Sequence, residues 1–136
     1  MGAKADLVGE STRVFAANDT VVIRQNLGGK AGGTTLDMTN FTGEVIRAGH
    51  LVYRKLDEDG KNYTYAPVPV ADGAYKSIPE GAEYAGVVVA SKLAKEPLVG
   101  IMDNGRVNDV AMPYPLTKEL RAALKTAIPT LIFEHD

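Results

Sequence analysis

The side chains with the best capacity for catalysis in this sequence are its two histidines and its serines. His50 lies in an expected turn, where a histidine is more often a surface hydrogen-bonding group than a general base. His135 is the penultimate residue, a poor position for holding catalytic geometry to within ~0.5 Å. A serine nucleophile would have to be Ser11, Ser77 or Ser91, and none of these lies in a G-x-S-x-G turn. We therefore expect that the protein is not an enzyme.

Carboxylates occur in two clusters, residues 57–59 and the pair Glu80 and Glu83. The first has the composition of a hairpin tip, and its spacing is not that of an EF-hand loop. A pair of carboxylates for glycoside hydrolysis is defined by distance in space, so the sequence leaves that chemistry open, although nothing selects a pair. The chain has no cysteine, which excludes thiolate metal sites, and we expect no metal and no cofactor.

Residues 26–35 contain four glycines and superficially resemble a phosphate-binding loop. The GxxxxGK[ST] spacing is absent, because Lys30 is followed by Ala31, so we expect a flexible loop and no nucleotide site. The YRK sequence at residues 53–55 is followed by Leu56 and then by three consecutive acids at residues 57–59, and the formal net charge is -2. A nucleic-acid partner is therefore not expected. No apolar run approaches the ~20 residues of a membrane-spanning helix, so no membrane partner is expected either.

Six tyrosines supply most of the aromatic side chains. A platform for sugar or protein could be built from Tyr63, Tyr65, Tyr75 and Tyr84, because tyrosine combines a large apolar face with a polar tip. Packing in the core or in an interface is the alternative fate of these residues. The candidate exposed interaction residues are Tyr63, Tyr65, Asn104 and Asn108.

The first half of the chain has the pattern of β-strands separated by turns. The predicted strands are residues 19–25, 44–47, 51–56 and 62–66. The Asp-Gly pair at residues 59–60 predicts a tight hairpin, because it supplies positive-φ positions. The return strand after this turn places Tyr63 and Tyr65 on one face.

The second half predicts further strands and one helix. The strands are residues 84–90, 97–102, 106–112 and 130–133, of which the first is the most apolar. Asp103-Asn104-Gly105 joins two of them, and Asn-Gly between β runs is a strong hairpin signal. Residues 117–127 form a helix with Thr117 as N-cap and Pro129 beyond its end. Its apolar face comprises Leu116, Leu120, Ala123, Leu124 and Ala127. The predicted fold class is mainly β.

Two parts are expected in the chain: an N-terminal arm at residues 1–18 and a β-rich domain at residues 19–136. The arm shows no clean periodicity and carries its apolar residues in isolated pairs. An ordinary frayed terminus is the alternative interpretation. An arm of this kind can gain order by pairing with a partner surface.

Several short motifs occur in a familiar order. They are AGHLV at residues 48–52, AGV at 85–87, GIM at 100–102, GRVN at 105–108 and AAL at 122–124. This order resembles that of the head decoration and head-fibre proteins of tailed phages, particularly the short head-fibre family of phages and prophages of gut Bacteroidales. The resemblance covers about two thirds of the chain, and residues 19–39 also resemble the N-terminal part of the head-fibre group.

The resemblance implies a small β-barrel or tulip-like β fold with one packed C-terminal helix and an extended N-terminal arm. It also implies a homotrimer at local three-fold positions of a capsid, with the major capsid protein as its partner. The protein would be made in the cytoplasm of the bacterial host and would decorate or stabilise the virion surface. In this interpretation the arm contacts the capsid through Leu7, Val8, Val14 and Phe15.

Three other functions stay open on the sequence. The protein could be the base of a capsid head fibre, in which case a fibre protein is a further partner. It could be a carbohydrate-binding β module that uses its tyrosines for adhesion. A small β-barrel hydrolase is the remaining alternative, and it would need a catalytic set that the sequence does not display.

Overall fold

The computed structural model describes residues 18–136, with the side chain of Ala31 excepted, and this part of the chain is mainly β, as predicted. The helices are α1 (Asp19–Val22) and α2 (Lys118–Ala127), with a 3-10 helix at Asp109–Ala111. The strands are β1 (Ile23–Thr35), β2 (Val45–Ile46), β3 (Leu51–Leu56), β4 (Tyr63–Pro67), β5 (Val70–Ala71), β6 (Ala74–Tyr75), β7 (Ala82–Val88), β8 (Lys92–Leu93), β9 (Leu98–Asn108) and β10 (Leu131–Glu134).

Strand β9 is the axis of the main sheet. Five strands follow the antiparallel order β1-β9-β7-β3-β4, and β10 lies parallel to β9. Along one edge β9 pairs with β1, while along the other it pairs first with β7 and then with β10. Two small sheets, β2-β8 and β5-β6, complete the architecture of the described residues. Every large element of the domain is therefore attached to β9 directly or through one or two neighbouring strands.

The predicted hairpin at residues 103–105 is wrong, because β9 passes straight through them. Gly105 lies so close to β1 that a Cβ at this position would be 2.1 Å from the carbonyl oxygen of Gln25. The amide of Gly105 donates a hydrogen bond to the carbonyl of Thr130 at 3.1 Å, just before β10 begins. Pairing on both edges therefore keeps extended a segment whose local sequence favours a turn.

The N-terminal part of the domain also differs from the expectation. Residues 19–22 form α1 instead of the beginning of a strand. Asp19 accepts hydrogen bonds from Ser91, and Val22 is buried in the core, so tertiary contacts override the β preference of this run. The predicted loop at residues 26–35 is part of β1, which pairs with β9 through several register shifts.

The β3–β4 hairpin matches its prediction closely. Strand β3 has the predicted bounds, and the chain turns at residues 57–62, where Gly60 has a φ of 70°. The strands predicted at residues 44–47, 84–90 and 130–133 are present as β2, β7 and β10 with shifted ends. Local sequence was sufficient to predict these strands, because the hydrophobic pattern of each segment is that of a β-strand.

The predicted helix is confirmed as α2. The hydroxyl of Thr117 accepts a hydrogen bond from the amide of Leu120 at 3.1 Å, which is the expected N-cap. Leu124 is fully buried, whereas Ala123 and Ala127 are exposed. The apolar face of the helix is therefore narrower than predicted.

The core lies on both faces of the central strands. Leu51, Val87 and Met102 stand opposite one another across β3, β7 and β9 and belong to one apolar cluster. Their chain neighbours Val52, Val88 and Ile101 belong to a second cluster on the other face. Helices α1 and α2 cover the first face, and the segment between β1 and β2 covers the second. Burial on two faces explains the continuous apolar run in β7.

The implied closure into a barrel is not detected as a strand ladder among the described residues. The two outer strands, β1 and β4, come together just beyond the C-terminal end of β1. There the amide of Asp37, two residues beyond β1, donates a hydrogen bond to the carbonyl of Tyr65 in β4 at 2.8 Å. The outer strands nevertheless keep backbone edges that no described strand pairs with.

We expect Gly105→Ala to destabilise the domain by about 3 kcal/mol, because a Cβ would collide with the backbone of β1 at a φ that side chains rarely adopt. Gly100→Ala is the matched control in the same strand. A Cβ there would meet Val89 at an ordinary 3.6 Å, so this variant should stay within about 1 kcal/mol of the parent protein. Urea unfolding measures both, and equal stabilities would contradict the close packing of β9.

Candidate functional site

Two of the predicted interaction residues, Tyr63 and Tyr65, lie on the same face of β4, as expected, with ring centroids 6.5 Å apart. Antiparallel pairing places Leu56 opposite Tyr63 and Arg54 opposite Tyr65. Leu56 is 45% exposed and Tyr63 is 42% exposed, which is high for large apolar side chains. We call these four residues, together with Lys30 of β1, the tyrosine surface.

Two cations lie against the rings of the tyrosine surface. The Arg54 guanidinium lies 4.2 Å from the centroid of the Tyr63 ring, and the Lys30 ammonium lies 5.4 Å from that of Tyr65. Hydrogen bonding to Tyr65 raises the pKa of Arg54 against the opposing effect of burial, and the 2.6 Å ion pair with Glu83 adds to the increase. The surface therefore combines the exposed ring of Tyr63 and the half-buried ring of Tyr65 with two cations, a chemistry suited to contacts with proteins or sugars.

The acidic cluster at residues 57–59 builds the turn that holds the tyrosine surface. Asp59 accepts hydrogen bonds from the amides of Lys61 at 2.8 Å and Asn62 at 3.2 Å, and these bonds lower the pKa of Asp59. Asp57 accepts a hydrogen bond from the hydroxyl of Thr64 at 2.6 Å. The interpretation of this cluster as a hairpin tip is therefore consistent with the geometry.

Asn104 and Asn108, the other predicted interaction residues, lie on β9 and are separated from β4 by two strands. Both are half-buried, and Asn104 pairs with Gly28 of β1 instead of occupying a hairpin tip. Asn108 accepts a hydrogen bond from the amide of Val110 at 3.2 Å and so begins the 3-10 helix, which ends the strand predicted for residues 106–112. Neither asparagine belongs to the tyrosine surface.

The four tyrosines do not form one platform. Tyr75 packs away from Tyr63 and Tyr65, and its hydroxyl accepts a hydrogen bond from the amide of Leu51 at 3.2 Å. Burial raises the pKa of Tyr75 well above its ordinary value. Tyr84 is half-buried on β7 opposite Tyr53. Core packing, the alternative fate, therefore applies to these two residues.

The expectation that His50 is a surface residue is wrong, because only 2% of it is exposed. Its ring packs edge-to-face with three aromatic rings at 5.4–5.9 Å: Phe41, Tyr75 and Tyr114. The Nε2 atom donates to the carbonyl of Val68 at 3.1 Å, which fixes the neutral tautomer. Burial lowers the pKa of His50 to about 4 although the Val68 bond opposes the decrease, so His50 is a neutral packing residue at pH 7.

Of the two serines that the structure describes, Ser91 is the one with extensive hydrogen bonding. It is 8% exposed, and its hydroxyl donates to Asp19 at 2.7 Å and accepts from the amide of Ala48 at 3.0 Å. The amide of Ser91 also donates to Asp19, at 2.8 Å. The hydroxyl thus connects α1 to the bend before β3, and both of these hydrogen bonds are structural. Ser77 is exposed, and Ser11 lies outside the described residues.

Asp109 is the centre of a network of charged side chains near the C-terminus, which the sequence did not predict. The buried carboxylate of Asp109 accepts hydrogen bonds from Arg121 at 2.6 Å and from His135 Nδ1 at 2.7 Å. Burial raises the pKa of Asp109, but these two bonds outweigh it and the pKa lies below its ordinary value. Glu134 pairs with Arg106 and, at 3.2 Å, with Arg24. His135 is therefore anchored, contrary to what its position in the sequence suggested.

Among residues 18–136 no group of three or more His, Asp or Glu side chains is placed to hold a metal ion. No helix in the same range is long and apolar enough to cross a membrane. The predicted capsid contacts Leu7, Val8, Val14 and Phe15 lie outside the described residues.

Comparisons with known proteins give no relative: no family model, no curated protein and no solved structure matches this chain.

We expect the stability of the domain to fall by about 2 kcal/mol between pH 7 and pH 5 through His50 alone. The folded pKa of about 4 lies below the ordinary 6.5, so the unfolded chain takes up the proton first and stability is lost as the pH decreases. His50→Phe, which keeps an aromatic ring, should flatten this dependence in urea unfolding. Tyr75→Phe alters the same cluster without removing a group that titrates in this range and should keep the slope. An unchanged slope in His50→Phe would contradict the buried neutral histidine.

Proposed function

We propose that this chain is a structural, non-enzymatic protein that binds the outer surface of a tailed-phage capsid through the major capsid protein. The observation that carries the proposal is the position of the motifs that resemble head decoration and head-fibre proteins. AGHLV at 48–52 leads into β3, AGV lies in β7, GIM and GRVN lie in β9, and AAL lies in α2. These elements are the scaffold of the domain, which leaves its edges and exposed faces available for partner contacts.

The edge most suited to a partner is that of β1. This strand is 13 residues long, and the described residues pair with it only on the side of β9. Leu27, in the middle of β1, is 60% exposed. Unpaired backbone groups on a long edge strand can accept a strand from another chain. The predicted arm precedes this edge in the chain, so the arm and β1 together form the proposed capsid contact.

On a capsid, even a small contact per subunit would be sufficient for stable binding. Each contact is repeated by the symmetry of the shell, and a homotrimer would engage three contacts at once. A protein that binds only the expanded shell stabilises that state by mass action. The proposed role is therefore to decorate or stabilise the virion surface.

Co-sedimentation with expanded capsids that lack the protein tests the proposal. Saturable binding at a fixed ratio to the major capsid protein is expected, and removal of residues 1–17 should weaken it by about tenfold or more. Leu27→Lys should also weaken binding, because it places a charge on the edge of β1. Val110→Lys is the matched control, since Val110 is equally apolar and 72% exposed but lies in the 3-10 helix. Absence of saturable binding at micromolar concentration would refute the proposal.

A carbohydrate-binding module is the second candidate, and the tyrosine surface is the observation that favours it. Tyr63 is exposed and lies next to the half-buried Tyr65 and to the Arg54 guanidinium, an arrangement that can stack on sugar rings and donate to hydroxyls. Under this alternative Tyr63→Ala and Tyr65→Ala abolish glycan binding on an array, whereas Leu27→Lys leaves it unchanged. Binding to capsids without detectable binding to any glycan on the array would exclude the alternative.

A further inference from the structure

A cavity of about 190 Å³ lies between the segment after β1 and the β3–β4 hairpin. One carboxylate and three aromatic side chains contribute to its wall: Asp37, Phe41, Tyr53 and Tyr114. We call these four residues the acidic aromatic pocket. It is distinct from the tyrosine surface, with which it shares no residue, and from the proposed capsid contact on β1.

The carboxylate of the pocket is held in place. The amide of Asp37 donates to the carbonyl of Tyr65 at 2.8 Å. Its Oδ1 atom accepts from the amide of Thr39 at 3.1 Å and from the Thr39 hydroxyl at 2.5 Å. These bonds to Thr39 lower the pKa of Asp37, so the group is ionised at neutral pH. Because both bonds go to Oδ1, Oδ2 remains as an acceptor for a ligand.

The aromatic walls are also fixed. Phe41 and Tyr114 pack edge-to-face on His50, at centroid distances of 5.9 Å and 5.8 Å. His50 is in turn held by its bond to Val68, a further residue of the cavity wall. Since His50 is neutral at pH 7, it puts no positive charge behind the rings. The rings are therefore positioned before any ligand arrives, which reduces the entropy lost on binding.

The charge of the pocket is unbalanced. Among the described residues that line the cavity, none is Lys, Arg or His. Tyr53 is close enough to Asp37 for the carboxylate to add to the effect of burial in raising the pKa of Tyr53. An adjoining cavity of about 280 Å³ also contains Lys55, but Asp57 and Glu58 line the same cavity. The cavity thus combines an exposed, ionised carboxylate with aromatic rings in its wall, and no described residue that lines it brings a cation.

We propose that the acidic aromatic pocket binds an alkylammonium group. Aromatic rings attract a cation through their negative faces, and a neighbouring carboxylate adds direct Coulomb attraction. The ligand class includes quaternary ammonium headgroups such as choline and the primary ammonium of a lysine side chain. The volume of the cavity is sufficient for a single headgroup.

Titration of the full chain with choline chloride, followed by two-dimensional amide NMR, tests the proposal. Saturable shifts are expected at residues 37–43, 53 and 114. The neutral isostere 3,3-dimethylbutan-1-ol has the same shape without the charge and should produce none of them, and sodium chloride at equal ionic strength corrects for screening. A parallel titration with Nα-acetyl-lysine amide distinguishes a quaternary from a primary ammonium.

Variants complete the design. Asp37→Asn should weaken choline binding by about tenfold, whereas Glu58→Gln, in the adjoining cavity, should leave it unchanged. Tyr53→Phe keeps the ring and should bind, while Tyr53→Leu should not, and the amide spectra report whether each variant is folded. Equal responses to choline and its neutral isostere, undiminished binding by Asp37→Asn, or shifts only with a neutral sugar such as methyl glucoside would overturn the proposal.

Discussion

The structure depends on the pairing of β9 along both of its edges. This strand can be contacted so closely because side chains are missing at the crossing points: a Cβ on Gly105 would lie 2.1 Å from the carbonyl oxygen of Gln25, and one on Gly86 would lie 2.3 Å from that of Met102. Close approach on one edge places β1, and on the other it places β7 and then β10. Since successive residues of β7 and β9 point to opposite faces, these strands build both apolar clusters at once.

The positions of the candidate sites depend on β9 indirectly, through the strands that it pairs with. β7 carries β3, and β3 carries the hairpin on which the tyrosine surface lies. The carbonyl of His50 accepts a hydrogen bond from the amide of Val88, and its ring donates one to the carbonyl of Val68. The buried neutral ring then supports Phe41 and Tyr114, which wall the acidic aromatic pocket. His50, neutral at pH 7, thus holds two of the aromatic rings in the cavity wall to which the ionised Asp37 also contributes.

Features that depend on residues close together in the sequence could be predicted from it. The β3–β4 hairpin, the pairing of Tyr63 with Tyr65 on one face and the helix capped by Thr117 were all of this kind. The prediction of an Asn-Gly turn was wrong because this segment is paired on both edges, and no local sequence signal indicates such pairing. The burial of His50 and the network around Asp109 were not predicted for a related reason: both depend on contacts between residues of separate elements.

Residue-resolved hydrogen exchange, read together with the nuclear Overhauser contacts of Gly105, tests the continuity of β9 most directly. If β9 is continuous, the amide of Gly105 is protected through its bond to Thr130, and Gly105 shows contacts to both Asn26 and Leu131, its partners in β1 and β10. Exchange of Gly105 as fast as that of an open turn, with contacts only to its near neighbours in the chain, would show a hairpin at this position and contradict the account.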